Sequence, residues 1–419
     1  NLWQAVALRD PATCLCCWRM ASVYQRLTGC PEFCLPIMRC CLLNVAIFSF
    51  ALFLRVLVGF HPHSGQDDYQ GERPADTSHH GGKPKKYGGD YEAQRHWMEV
   101  TYHLPISEWY YHDLEYWGLD YPPLTAYVSW LCGWVAHNVG SLHDKAFGNE
   151  EIMDGVCKWD DEASASACID QMQKNSTGRK CRKGLGVLKD LVALYSSRWG
   201  FEESGGKLYM RFTVLLLDLL VYMSAVWVLV ARLTKDGEEQ STSTNRKDDT
   251  IIPTSQRSRT RLLLAALTQP ALILIDHGHF QYNTVSLGLA LWSFHYMTLD
   301  GWSGPILGSI LFSLALNFKQ MELYHAPAIF AYLLGRCFRY DKSNGQSART
   351  FAAGKFCSLG VTVLAVFAIL WAPFAISPSG TASPPSSLHL DGIVQLFQRI
   401  FPFNRGIFEG KVVNIWCAL

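Results

Sequence analysis

Charge is what this chain lacks most. Of its 419 residues, 17% are Asp, Glu, Lys or Arg, against about 25% in an ordinary soluble domain. The net charge is +1, so no basic field favours nucleic acid or a strongly acidic partner. The phosphate-cradling patterns are missing: there is no P-loop and no GxGxxG behind a strand. No HExxH offers a zinc site, and no Asp-x-Asp pair presents itself for the divalent ion of a nucleotide-sugar. The acid pairs Asp67-Asp68, Asp160-Asp161 and Asp248-Asp249 fall in low-complexity loops and read as solvated. No secretory signal peptide stands out.

What is present is apolar length. Hydrophobic residues make up 49% of the chain and gather in blocks long enough to cross a bilayer. The first, 41–60, ends near Arg55, whose stem allows the guanidinium to snorkel. Further blocks fall at about 122–137, 212–231, 262–276, 284–299, 304–318, 323–338 and 352–376. Backbone groups in lipid must be satisfied internally, so the fold class expected is an all-α polytopic membrane protein. The segment 1–40 carries Arg9, Arg19, Arg26 and Arg39 against Asp10 and Glu32. The positive-inside rule places it in the cytoplasm, where its cysteines stay reduced. Residues 61–207 then form a lumenal region, and 208–419 a multi-span region broken by a flexible cytoplasmic linker at 233–261. On that parity the short block 122–137 does not span, and Asn175, in the sequon Asn175-Ser176-Thr177, faces the lumen. The opposite parity has 122–137 crossing. Cys157, Cys168 and Cys181 are an odd set, which allows one disulfide among them at most. The chain opens on Asn1 and closes on an apolar run, and reads as a C-terminally truncated fragment.

The block 88–127 is dense in aromatics, carboxylates and His, side chains that do not belong inside lipid. Asp90 follows Gly88-Gly89, where the backbone turns freely. A helix is expected behind it, with Trp97, Val100 and Leu104 at i, i+3 and i+7. Asp90 is then either that helix's cap or a general base at the membrane surface, with Arg95 and His96 one to two turns away. Glu92 and Glu99 compete more weakly for the same role. Trp109, Tyr110, Tyr111, Tyr116, Trp117 and Tyr121, interleaved with Asp113, Glu115 and Asp120, make either an interfacial aromatic belt or a wall on which a sugar ring stacks.

Two further clusters interrupt apolar sequence. LIDHGHFQYNTVSLG, 274–288, sets Asp276, His277, His279, Gln281 and Asn283 at a corner between helices. Its His-x-His lacks the second Cys or His pair of a zinc site, so it reads as a polar turn or a substrate surface. NFKQMELYHAP, 317–327, brings Lys319, Glu322 and His325 to the end of a span, where ionisable residues are functional candidates. Lys319 there either snorkels or meets a phosphate. Arg211, heading another span, has the same two readings, with the better bidentate geometry.

DYEAQRHWMEVTYHLPISEWYYHDLEYWGLDYPPLTAY, 90–127, resembles the first lumenal loop of the eukaryotic dolichyl-phosphate-glucose-dependent glucosyltransferases of the endoplasmic reticulum. Within that family it is most similar to the branch that adds the first glucose. The branch adding the second shares LDYPP but differs where this chain has EAQRHWMEVTYHLP. LILIDHGHFQYNTVSLGLALW (272–292), LNFKQMELYHAPAIF (316–330) and FQRIFPFNRGIFEGKVVNIWC (397–417) match in the same order. SSRWGFEES (196–204) resembles a Ser-Arg-Gly segment in which Trp199 displaces the Gly. The stretches 61–87, 139–195 and 233–258 look like insertions.

The resemblance implies a GT-C fold with a lumenal active site and endoplasmic-reticulum localisation. The implied donor is dolichyl-phosphate-glucose. The implied acceptor is a high-mannose oligosaccharide on dolichyl diphosphate, and the implied product an α-1,3 glucoside formed with inversion. Asp90 falls on the family's catalytic aspartate. Lys319 and Arg95, then Arg211, are the candidates to compensate the departing phosphate. His96, Trp117, Asp120, Tyr121, Asp276, His277, His279, Gln281, Glu322 and His325 complete the expected substrate site. Neither a metal nor another cofactor is expected. A transporter and a non-catalytic binder of lipid-linked oligosaccharide are the competing classes; the inverted repeats a transporter often shows are not seen.

Overall fold

The structure, a computed structural model, describes residues 34–65, 89–112, 117–146, 187–193, 204–242, 254–341, 348–375 and 390–401. Asp113, Glu115, Tyr116, Asn175, the three cysteines at 157, 168 and 181, 196–203 and 402–419 lie outside them. The helices are α1 (Cys34–Gly59), α2 (Gly89–His103), α3 (Pro123–Ala146), α4 (Val187–Leu191), α5 (Ser204–Leu217) and α6 (Ser224–Thr242). They continue with α7 (Thr254–Leu267), α8 (Pro270–Ile273), α9 (Asn283–Met297), α10 (Ser303–Phe318) and α11 (Ala326–Arg336). A hairpin, β1 (Phe338–Asp341) with β2 (Ala348–Phe351), precedes α12 (Ala353–Trp371) and α13 (Leu390–Ile400).

Among the described residues three helical stretches have the length and hydropathy to cross a membrane: Leu42–Gly59, Ser204–Thr234 and Ala353–Ala375. The last leaves Val361, Leu364 and Ile369 66%, 71% and 72% exposed, an apolar face that lipid rather than water suits. This is a membrane protein built on helices. The block expected at 122–137 is a longer helix, α3, of 24 residues, about 36 Å at 1.5 Å per residue. Within the flexible linker expected at 233–261, the described parts are helical, since α6 continues to Thr242 and α7 starts at Thr254; 243–253 lie outside the described residues. Lys, Glu, Gln and Arg, all good helix formers, carry both helices past their apolar parts.

The chain divides into two compact units. The first takes in 1–60 and 226–273. Here Arg55 is not a snorkelling residue: it is 1% exposed. Its Nη1 donates to Leu267 O at 2.7 Å, the last residue of α7. A buried cation thus satisfies a carbonyl that the helix end leaves without a partner.

The second unit, 61–225 and 274–419, holds every candidate site residue. Its central core joins Tyr91 and Met98 of α2, Leu188 and Leu191 of α4, Met210 of α5, and Phe280, Val285 and Phe318. The segment at 187–193, expected inside an insertion, is therefore core. A second cluster sets Trp97, Trp109, Leu119, Phe374, Leu396 and Ile400 together. It fixes α13 over the aromatic loop, where Arg399 donates to Gly118 O and Leu119 O at 3.0 and 3.1 Å. α9 crosses the π-helical stretch Asp218–Met223 at Gly288, where an added Cβ would sit 2.7 Å from the Tyr222 backbone nitrogen. Glycine lets the two backbones touch, as small residues do between membrane helices.

Candidate active site

α2 opens on Gly89, whose φ of +82 and whose neighbour Ser64 O, 2.2 Å from any Cβ, admit no side chain. That turn sets Asp90 in the first turn of α2, at the positive end of the helix dipole. Asp90 stays half-buried while Tyr91 through Val100 are all buried. Its Oδ2 accepts a hydrogen bond from Gln281 Nε2 at 2.9 Å.

Gln281 belongs to a strained connection between two helices. Leu274–Gly278 is π-helical, and Phe280 and Tyr282 both take left-handed backbone, with φ of 61 and 53. Such residues cost about 1–3 kcal/mol each and persist only where their surroundings impose them. Here packing does so: both rings lie in the core, and the Tyr282 hydroxyl pairs with Thr213 Oγ1 at 2.8 Å. The turn brings Asp276 back to the start of α9. Its Oδ1 accepts from Asn283 N at 2.8 Å and its Oδ2 from Thr284 N at 2.6 Å. Tyr282, at the N-cap position, supplies no side-chain cap. Asp276 therefore takes the place of the cap for two otherwise orphaned donors.

Lys319, the residue after α10, is 3% exposed. Its Nζ donates to Asn283 Oδ1 at 2.5 Å and to Gln281 O at 3.3 Å, and lies 4.9 Å from the centroid of the Tyr121 ring. Burial pulls its ammonium down to about 8, against the attraction of Asp276, Asp90, Asp120 and Glu322. Burial, with help from Asp120 and Asp90, pushes the Tyr121 hydroxyl well above its usual range. Burial likewise pushes the Asp276 carboxyl up, opposed by its bonds to Thr284 and Asn283 and by Lys319. Thr125 Oγ1 on Phe318 O ties α3 to the end of α10 beside this group.

Six expected residues thus meet: Asp90, Asp120, Tyr121, Asp276, Gln281 and Lys319, with Glu322 facing Lys319 electrostatically. Asn283 and Thr284 join them as connectors. The others go elsewhere. Arg95 is fully buried, its guanidinium held by Glu92 at 2.8 and 2.6 Å, by Glu99 at 2.8 Å and by Leu191 O at 2.8 Å. His96, also buried, has Nδ1 3.6 Å from Glu99 Oε2. Trp117 accepts at its carbonyl from Trp97 Nε1 at 2.9 Å. Arg211 donates to His61 O at 2.6 Å and lies over the Phe280 ring. His277 pairs with the buried Asp218 at 2.9 Å. His279 is exposed, and His325, also exposed, bonds Glu322 Oε2 at 2.8 Å.

The pieces are a carboxylate with one oxygen engaged, a desolvated ammonium and an aromatic flank. Among the described residues no group of three or more His, Cys, Asp or Glu could hold a metal ion. Over residues 51–149 and 185–419 the sequence matches the ALG6, ALG8 glycosyltransferase family. The chain belongs to this family. The match breaks at 150–184, a narrower gap than the expected 139–195 insertion, and includes α4. Relatives in the ALG6, ALG8 family bear the name dolichyl pyrophosphate Man9GlcNAc2 alpha-1,3-glucosyltransferase. The Gallus gallus protein is 40% identical over 343 residues, 81% of this chain and 50% of its own length. The Rattus norvegicus protein is 37% identical over 342 residues, again 81% and 50%. The Saccharomyces cerevisiae protein is 36% identical over 374 residues, 89% of this chain and 50% of its own length. The chain spans about half the length of these curated relatives.

Proposed function

We propose that this protein transfers glucose from dolichyl-phosphate-glucose to the terminal mannose of a dolichyl-diphosphate high-mannose oligosaccharide, forming an α-1,3 linkage with inversion. The single observation that carries the reading is the Asp90 cluster, a half-buried carboxylate bonded to Gln281 with the Lys319 ammonium behind it. The names of the relatives support the acceptor, since they specify Man9GlcNAc2 on dolichyl pyrophosphate. That oligosaccharide carries no glucose, which favours the first addition over the second.

Inversion is a single displacement, so one base suffices and no glycosyl-enzyme forms. Asp90 takes the proton of the attacking mannose hydroxyl as the new bond to the glucose C1 forms. The bond from C1 to the phosphate oxygen breaks, and dolichyl phosphate leaves as an anion. A leaving group that is already anionic needs a cation rather than a proton. Lys319 is assigned that role because it lies within the field of Asp90, whereas Arg95 is enclosed by two carboxylates and Arg211 reaches His61 O and the Phe280 ring. Tyr121, whose ring lies beside the Lys319 ammonium, flanks the sugar. The site lies on the lumenal side of the endoplasmic-reticulum membrane, in a GT-C architecture whose spans hold both lipid-linked substrates beside it.

A phosphate leaving group without a nucleotide diphosphate leaves a divalent ion nothing to bridge. Purified protein, a synthetic dolichyl-phosphate-glucose and a Man9GlcNAc2-diphosphate lipid are therefore expected to yield glucosylated product equally with and without EDTA. Transfer abolished by EDTA and restored by a divalent cation would overturn this mechanism.

A further inference from the structure

We infer that Gln281 is a positioning residue for the reaction: its carboxamide fixes one oxygen of Asp90 so that the other faces the acceptor hydroxyl. The inference rests on Asp90 being the base. It starts from an asymmetry in the hydrogen bonds. Asp90 Oδ2 accepts from Gln281 Nε2 at 2.9 Å, and Asp90 is half-buried. A carboxylate able to rotate about its own axis offers either oxygen, in many orientations; one held by an amide offers a single oxygen along one direction.

The carboxamide oxygen of Gln281 accepts from Asn283 Nδ2 at 3.5 Å, and the residue's main chain is held from behind. The Gln281 backbone oxygen accepts from Lys319 Nζ at 3.3 Å, and Lys319 Nζ also donates to Asn283 Oδ1 at 2.5 Å. Asn283 Nδ2 donates to Asp276 Oδ1 at 3.1 Å, and Asp276 in turn is anchored by the start of α9. The left-handed residues Phe280 and Tyr282 bracket Gln281 and are locked into the core by their rings. A residue whose main chain is fixed by two strained neighbours and a cation, and whose carboxamide is bonded at both ends, reads as one whose direction matters. An ordinary surface glutamine has no such support.

An amide donor also stabilises the ionised carboxylate over the acid. Four other groups act electrostatically around the same point: Lys319 from the end of α10, Asp120 and Tyr121 from the aromatic loop, and Asp276 from the π turn. Substitutions at Gln281 leave all four in place. This separates an effect on the base from an effect on the fold.

The test is the pH–rate profile of glucosyl transfer for Gln281→Leu and Gln281→Glu beside the unaltered protein and Asp90→Asn. Gln281→Leu removes the donor, and the acid limb is expected to move up by about one pH unit, the worth of a hydrogen bond to a charged group. Gln281→Glu keeps the shape and sets a second carboxylate against Asp90, so the acid limb is expected to move further in the same direction. The plateau rate falls as well, within about 100-fold for a misdirected base. Acid limbs that coincide with that of the unaltered protein, with a change in amplitude alone, would overturn the inference and leave a structural role. If Gln281→Leu does not fold, the isosteric Gln281→Glu decides by the same criterion. An Asp90→Asn protein that keeps its activity removes the base, and the inference falls with it; an inactive Asp90→Asn with unshifted Gln281 variants removes the inference alone.

Discussion

Asp90→Asn is expected to lower glucosyl transfer by about 10²–10⁴-fold, the range that a positioned general base supplies. Asn is nearly isosteric with Asp, so the turn at Gly89 and the packing of α2 stay intact. Its amide oxygen can still accept from Gln281 in place of Oδ2. What is lost is the ability to take a proton from the acceptor hydroxyl, and binding of dolichyl-phosphate-glucose is expected to survive within a few-fold. The check is a pair of measurements on one preparation: the rate of transfer at saturating donor, and donor affinity by competition with an unreactive analogue. A variant within tenfold of the parent rate would remove Asp90 from the chemistry.

The second large effect is expected at Lys319. Lys319→Met keeps the length of the side chain and removes the charge proposed to face the departing phosphate. A hydrogen bond to a charged group contributes about 1.5–3 kcal/mol, so donor affinity is expected to fall roughly 10- to 150-fold. The pH dependence gives the sign independently. Burial lowers the Lys319 ammonium to about 8, so the cation is present below that pH and is lost as pH rises through it. The KM for donor is therefore expected to climb on the alkaline side with an inflection near 8. Lys319→Arg, which stays charged across the range, is expected to abolish that inflection even if its bulk slows the reaction. A donor KM flat from pH 7 to 9 in the unaltered protein would remove Lys319 from phosphate contact.

Much of this arrangement is legible along the chain. The 3.6-residue spacing of Trp97 and Val100 gives α2, and both side chains lie in the core. The run DHGHFQYN stands out because polar residues interrupt apolar sequence, and it does form the turn that carries Gln281 and Asp276. Which residue meets which is not legible. Gln281 and Asp90 are 191 positions apart, and only the packing of α2 against that turn joins them. The left-handed backbone at Phe280 and Tyr282 is hidden as well, because no glycine marks it and the core imposes it. Arg95 shows the reverse case. Glu92 and Glu99 stand three residues before and four after it, spacings that pair charges on one helical face. Those spacings argue for an internal ion pair over an exposed phosphate contact. Arg55 had no such signal, since its acceptor is a main-chain carbonyl of a distant helix.

The account requires one displacement at the glucose C1, with Asp90 acting as base and never as nucleophile. The anomeric configuration of the product tests this most directly. Proton NMR of the oligosaccharide released after transfer from β-configured dolichyl-phosphate-glucose is expected to show a new α-linked glucose on the terminal mannose. A β-linked glucose would require an even number of displacements, hence a covalent intermediate, and would contradict the mechanism built on Asp90.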